Sequence, residues 1–216
     1  MNCLVVAATP LEIKPFLDSY RAAPDRWGKL QVDVLITGIG LTASAYTYTR
    51  HLQVRKPGFA IQAGIAGCFD TSVTLGTVFN VTKDCIADQG VLEAGQWQDL
   101  FGLGLVKQQQ PPYQNKWLQN KTVPAGLCKL KKVTGISVNQ ITASRQQARR
   151  IQDYYQPMVE SMEGASFHYV SLMEKIPFLQ LRAVSNYIGE RNKKKWEIGK
   201  AVMQLNIELM KLLDKL

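Results

Sequence analysis

Histidine is nearly missing from this chain of 216 residues, with His51 and His168 the two present, and its four cysteines, Cys3, Cys68, Cys85 and Cys128, are widely scattered. No two cysteines are closely spaced and neither histidine stands near one, so the spacings of a zinc site and of a disulfide framework are both lacking. The cysteines are expected to be reduced packing residues, and no metal is implied. No apolar run approaches the roughly 20 residues that a membrane-spanning helix requires. The opening run from Asn2 to Ala8 has no basic leader and is closed at once by Pro10 and Glu12, unlike a secretory signal. The expectation is a soluble, cytoplasmic protein with no membrane partner.

Acidic residues are also in short supply, 17 Asp and Glu against 26 Lys and Arg, for a formal net charge of +9. The densest basic run is Arg191-Asn192-Lys193-Lys194-Lys195, preceded by a thinner spread over Lys121, Lys129, Lys131 and Lys132. There is no finger, no basic zipper and no basic strand interleaved with aromatics, so nucleic acid is not the expected partner. A solvated basic face is expected, with attraction for a carboxylate-bearing small substrate as the next reading. Internal repeats and composition-shifted linkers are absent too. The chain therefore reads as one domain over 1–216, with 46% hydrophobic residues and length enough to bury a core.

What is present is an alternation of short apolar runs and helical periodicities. Asn2 to Ala7 reads as a buried strand closed by Thr9-Pro10, and Leu11 to Tyr20 as a helix with Glu12 in its first turn. Val32 to Thr37 reads as a second strand, Gly38-Ile39-Gly40 as a turn, and Leu41, Ala45, Tyr48 and Leu52 as one helix face. A third strand, Phe59 to Ala63, is expected to end at Gly64-Ile65-Ala66-Gly67. Further strands are expected near Thr77–Thr82, Lys132–Val138, Met158–Glu160 and Phe178–Val184, with helices near Ala143–Asp153, Glu163–Glu174 and Lys194–Leu216. Glu93 to Ala125, rich in Gln, Gly and Pro, reads as a long loop or mobile insertion. Strands and helices in this order make an α/β sandwich.

Gly38-Ile39-Gly40-Leu41-Thr42-Ala43 fits a relaxed dinucleotide fingerprint, yet the acidic residue expected about 20 positions on is lacking. The small residues of Gly64-Ile65-Ala66-Gly67 let the main chain approach a ligand and offer backbone N–H groups to it. The richest segment is Val159-Glu160-Ser161-Met162-Glu163-Gly164-Ala165, where two acids and a Met lead from a strand into a helix.

That segment resembles the Glu-x-Met-Glu-Gly-Ala signature of the nucleoside phosphorylase and nucleosidase superfamily, whose Met and second Glu hold the ribose. The resemblance carries that role onto Met162 and Glu163. It implies a three-layer α/β/α sandwich with a central mixed twisted sheet, a purine nucleoside as the small-molecule partner, no cofactor, and a homodimer or higher homo-oligomer. A carboxylate at Glu163 suits two ribose hydroxyls and the positive charge that builds on the sugar as the base leaves. Stabilising a helix N-terminus is its alternative role. The glycine turns after strands two and three and the run Arg182-Ala183-Val184-Ser185-Asn186 fall in register with the same superfamily.

Ala8-Thr9-Pro10-Leu11-Glu12 resembles the hydrolase branch. Glu12 can take a proton from water there, and it would repel the phosphate that a phosphorylase needs; a helix-start glutamate on the surface is its alternative. Adenine nucleosidases carry Asp where this chain has Asn186, after Ser185. A neutral Asn can donate to a 6-oxo group, which points to hypoxanthine. The run Arg182 to Arg191, ending in Trp196-Glu197-Ile198-Gly199-Lys200-Ala201, resembles the futalosine hydrolases of the alternative menaquinone pathway, which release hypoxanthine from a nucleoside bearing a carboxyphenyl ketone.

The resemblance thus implies catalytic roles for Glu12, Glu163 and Asn186, and substrate contacts at Gly64, Ile65, Ile141, Met162 and Ser185. Adenine nucleosidases often have Ser where Ile65 stands and a stacking Phe near Ile141, so those two contacts are altered here. Trp97, Phe101, Tyr113 and Trp117 are offered to an aromatic tail; capping of core surface is the alternative for the two tryptophans.

Overall fold

The computed structural model describes residues 2–121, 123, 126–189 and 192–216. Met1, the Thr122, Pro124 and Ala125 end of the middle segment, and Glu190-Arg191 of the late basic run lie outside the described residues.

The elements in chain order are β1 (Asn2–Ala7), α1 (Lys14–Ala22), β2 (Gln31–Ile36), α2 (Leu41–Val54), β3 (Phe59–Cys68), β4 (Val78–Asp84), β5 (Gly90–Glu93), β6 (Gln96–Asp99), β7 (Leu118–Gln119), β8 (Lys132–Ser137), α3 (Arg145–Tyr155), β9 (Val159–Ser161), α4 (Gly164–Met173), β10 (Phe178–Tyr187) and α5 (Ile198–Leu213). Eight strands form one mixed sheet in the order β10-β4-β8-β9-β3-β1-β2, with β7 on β4. Because β3 also pairs with β10, strands β3, β10, β4, β8 and β9 close on themselves.

Strand alternation explains the layers. In β1 the side chains of Cys3, Val5 and Ala7 pack in one core with Phe16 of α1 and Leu205 and Leu209 of α5. Leu4 and Val6, pointing the other way, pack with Tyr48 and Leu52 of α2 and Phe167 and Val170 of α4. A period of two in a strand buried on both faces therefore places helices on both sides. The central mixed sheet between helix layers is the architecture expected from the sequence. Among the described residues no helix is long and apolar enough to cross a membrane.

Three expectations are corrected. Strand β3 does not stop at Ala63: it runs through Gly64-Ile65-Ala66-Gly67 to Cys68, because β10 pairs with it along that stretch and β9 joins at Gly67 and Cys68. Helix α1 begins at Lys14 rather than Leu11, so Glu12 stands in the turn before it. The middle segment is not a featureless loop. A hairpin, β5 and β6, turns through Ala94 and Gly95, both at positive φ, and β7 adds an edge to β4. The lysines at 121, 129, 131, 132 and 193–195 are exposed.

Candidate functional site

A cavity of about 420 Å³ opens where β3, β9 and β10 end, beside the loop after β1 and the first turn of α5. Seven of the eight residues singled out in the sequence border it: Glu12, Ile65, Ile141, Met162, Glu163, Ser185 and Asn186. The eighth, Gly64, does not. It lies beneath the cavity, where a Cβ would stand 2.1 Å from Arg182 Nη1 and 3.0 Å from Glu12 Oε1, so the space beside it is filled by the chain's own side chains rather than offered to a ligand.

Glu12 is 8% exposed. Its Oε2 accepts from the Thr9 N–H at 3.0 Å and the Thr9 hydroxyl at 3.2 Å, and its Oε1 accepts from the Ile65 N–H at 3.1 Å. From behind, the buried Asn206 of α5 donates to the Glu12 carbonyl at 2.8 Å while accepting the Phe16 N–H at 3.0 Å. The carboxylate is thus aimed by the next strand and its backbone by the last helix. Burial raises the Glu12 pKa, and the Arg182 guanidinium and the Ile65 N–H pull in the opposite direction.

Glu163 caps α4 with its backbone alone. Its side chain makes no helix-capping bond; it crosses to β2's exit turn, where Oε1 accepts the Gly40 N–H at 3.1 Å. The glycine turn therefore serves a carboxylate of the chain itself. Gly40 sits at φ 93°, a conformation that glycine adopts without steric cost. Arg182 pairs with Glu163 and acts on Glu12 through its charge. Its Nη1 lies 3.7 Å from Glu163 Oε2, and its Nη2 donates to Gln62 Oε1 at 3.0 Å. At 1% exposure the guanidinium is dry, and a cation buried in this way persists only with charges of opposite sign against it.

At the other end of the cavity the Ser185 hydroxyl lies 2.9 Å from Asn186 Oδ1 and 3.2 Å from the Ala66 carbonyl and can donate its one hydrogen to either; the Asn186 amide nitrogen donates to the Tyr187 carbonyl at 3.3 Å and keeps a second hydrogen to offer. That nitrogen is 3.3 Å from the position a Cβ would take on Gly67, on the face of β3 that borders the cavity. The mouth is apolar: Leu11, Ile39, Ile141 and Ile198 are exposed there, and Ile188, Trp196 and Val202 also line it. No Lys or Arg borders the cavity among the described residues.

Sequence reasoning left two charged members of the site unassigned. Arg182 was part of a recognised run without a role, and Glu160, which borders the cavity and is 5% exposed, was the first acid of the Glu-x-Met-Glu motif without a role. The signal for both was a charged residue within a short, otherwise apolar or small-residue strand. The aromatic residues of the middle segment are not at this cavity. Trp117 is buried edge-on to Tyr155 of α3, and Trp97 donates to the Tyr155 hydroxyl at 3.0 Å; the tryptophans cap core surface. Phe101 and Tyr113 pack against each other. The four cysteines are unpaired, three of them buried, and no group of His, Cys, Asp or Glu among the described residues is placed to hold a metal ion.

The model of the phosphorylase superfamily matches residues 4–216. A futalosine hydrolase of Thermus thermophilus is 26% identical over 97% of this chain and 94% of its own length. Another, of Streptomyces coelicolor, is 27% identical over 88% of this chain and 79% of its own, and a 5'-methylthioadenosine/S-adenosylhomocysteine nucleosidase of Buchnera aphidicola is 24% identical over 87% and 80%. Among solved structures, futalosine hydrolase of Helicobacter pylori superposes with a TM-score of 0.80 at 16% identity, over 100% of this chain and 98% of that one. With its fold shared by that structure and the family model matched almost end to end, the chain belongs to the phosphorylase superfamily.

Proposed function

We propose that this protein hydrolyses the N-glycosidic bond of futalosine, releasing hypoxanthine and the sugar that keeps the carboxyphenyl ketone. It is an N-glycosyl hydrolase acting on a small purine nucleoside. The observation that carries the reading is the charge arrangement at the cavity floor: two buried carboxylates, Glu12 and Glu163, with the Arg182 guanidinium beside them, behind the wall. A phosphorolytic site would need a cation presented to phosphate. Here no Lys or Arg borders the cavity among the described residues, and a carboxylate at the attack position repels an anion while suiting water.

In this reading water lies against Glu12, which accepts its proton as the oxygen bonds to the anomeric carbon. The bond from that carbon to N9 breaks, its electron pair leaves with the purine, and the departing purine takes a proton from solvent. Glu163 accepts hydrogen bonds from the ribose hydroxyls and favours the positive charge that builds on the sugar. Met162 packs on the ribose. Ile65 presents the N–H that holds Glu12, and Ile141 borders the base. Asn186, oriented by Ser185, donates its NH₂ to the 6-oxo group. The apolar mouth suits the aromatic tail. The futalosine hydrolases among the relatives support the choice of substrate, and the reaction belongs to the alternative route to menaquinone in the cell interior, by a homo-oligomeric enzyme.

The test is release of free base from futalosine, inosine and methylthioadenosine, each with and without phosphate. Hypoxanthine from futalosine, at a rate indifferent to phosphate and well above the other two, is expected. Adenine release as the fastest reaction would assign the protein to the adenine nucleosidases, and a phosphate requirement would reject hydrolysis.

A further inference from the structure

We propose that Glu160 is a specificity-determining residue that reads the N1–H of a 6-oxopurine and turns adenine away; this rests on the reading that the cavity takes a purine nucleoside. Three directly paired residues carry the argument. Asn186 of β10, just past a bulge after Val184, pairs with Gly67 of β3 and keeps its Nδ2 3.3 Å from where a Gly67 Cβ would stand, and Gly67 pairs with Glu160 of β9. Paired residues in a sheet point to the same face, and adjacent strands are about 4.8 Å apart. Asn186 and Glu160 therefore rise from one row, roughly 10 Å apart at the backbone, with Gly67 between them and the Ile188 side chain lying over that glycine as a floor. Both border the cavity.

Such a row matches the edge of hypoxanthine, along which N7, O6 and N1–H follow one another. Asn186 takes the 6-oxo end. The group left to meet N1–H is the Glu160 carboxylate. It is held firmly: Oε1 accepts the Thr142 N–H at 3.0 Å, and Oε2 accepts the Thr142 hydroxyl at 2.5 Å. Each carboxylate oxygen can accept two hydrogen bonds, so capacity remains on both, and an ionised carboxylate can do nothing but accept. Hypoxanthine brings a hydrogen at N1. Adenine brings a lone pair there, which would face the carboxylate lone pairs with no hydrogen between them. A site built around a hydrogen-bonding partner rejects the analogue that lacks it.

A purely structural Glu160, tying the 139–142 loop to β9, would affect both bases alike. The discriminating readout is therefore a ratio: the affinity for free hypoxanthine divided by that for free adenine, measured by calorimetry on wild type, Glu160→Gln and Thr142→Val, alongside futalosine turnover by wild type. Wild type is expected to favour hypoxanthine. Glu160→Gln, whose amide offers hydrogens to N1, is expected to lower the ratio about tenfold or more, the scale of a hydrogen bond to a charged group. Thr142→Val keeps the backbone donor and loses the hydroxyl, and should lower the ratio in the same direction by a smaller factor; it decides the matter if Glu160→Gln does not fold. A wild-type preference for adenine, no binding of either base, or a ratio unmoved by the substitutions overturns the assignment. A ratio that moves while wild type fails to cleave futalosine upholds Glu160 as the base reader and rejects the futalosine reading instead.

Discussion

Gly64→Ala isolates the buried charge triad with the smallest possible change. Gly64 sits within β3 at an ordinary strand conformation, outside the positive-φ glycines, so alanine's backbone preference opposes nothing there. The whole effect must come from one methyl group. Its carbon would lie 2.1 Å from Arg182 Nη1 and 3.0 Å from Glu12 Oε1, where ordinary contact begins at 3.4 Å. The guanidinium must retreat by more than an ångström, yet it is 1% exposed and bonded to Gln62 on its other nitrogen. Overpacking of this kind costs about 1–3 kcal/mol of stability. A displacement of about 1 Å in a catalytic arrangement lowers turnover by about a hundredfold. The assay is kcat for base release with thermal unfolding beside it, and Gly199→Ala as the stability control, since nothing stands within 4 Å of a Cβ there and alanine in a helix is favoured by about 0.5–1 kcal/mol. If Gly64→Ala folds and keeps kcat within a few-fold of wild type, the packing of Arg182 and Glu12 around Gly64 does not govern turnover.

Other expectations follow from the same contacts. Glu12 must be ionised to take a proton from water, and burial raises its pKa, so kcat/KM should fall as pH drops through that raised value, at a pH above the usual glutamate range; a profile flat to the ordinary carboxylate pKa counts against Glu12 as the base. Asn206→Ala removes the bond that pins the Glu12 carbonyl and leaves the Phe16 N–H without its acceptor, which should cost about 1–3 kcal/mol in urea unfolding and lower kcat more than it raises KM. Asp84, fully buried under the first turn of α4, has its pKa pushed up to about 6, chiefly by burial. Its folded pKa exceeds its unfolded one, so the native state holds the extra proton between the two, and stability should fall as pH rises from about 4 to about 6. The span corresponds to about 3 kcal/mol at most, and Asp84→Asn should flatten that part of the unfolding profile relative to wild type.

How much of this was legible in the sequence depends on whether a signal was local. β1 and α2 announced themselves through an apolar run and a three-to-four-residue periodicity, which belong to the segment alone. The continuation of β3 through Gly64 and Gly67 did not, because two glycines read as a turn until β10 and β9 pair with them. These glycines are there for close approach: Arg182 fills the space beside Gly64, and Ile188 that beside Gly67. The hairpin at Ala94-Gly95 lacked the Asn-Gly or Asp-Gly signal that marks such a turn. At the site, Glu12, Glu163 and Asn186 were reached through the motifs that surround them. Arg182 and Glu160 were printed in those same motifs, but their roles depend on cross-strand register, which the order of residues along one segment does not reveal.

Base release from futalosine by Glu12→Gln, beside wild type in phosphate-free buffer, tests the central claim most directly. The amide keeps the size of the side chain and removes its ability to take a proton from water. Wild type is expected to liberate hypoxanthine with no phosphate present, and the variant to bind the nucleoside while losing at least about a hundredfold in kcat, the scale of a general base. Wild-type rates retained by Glu12→Gln would contradict the account.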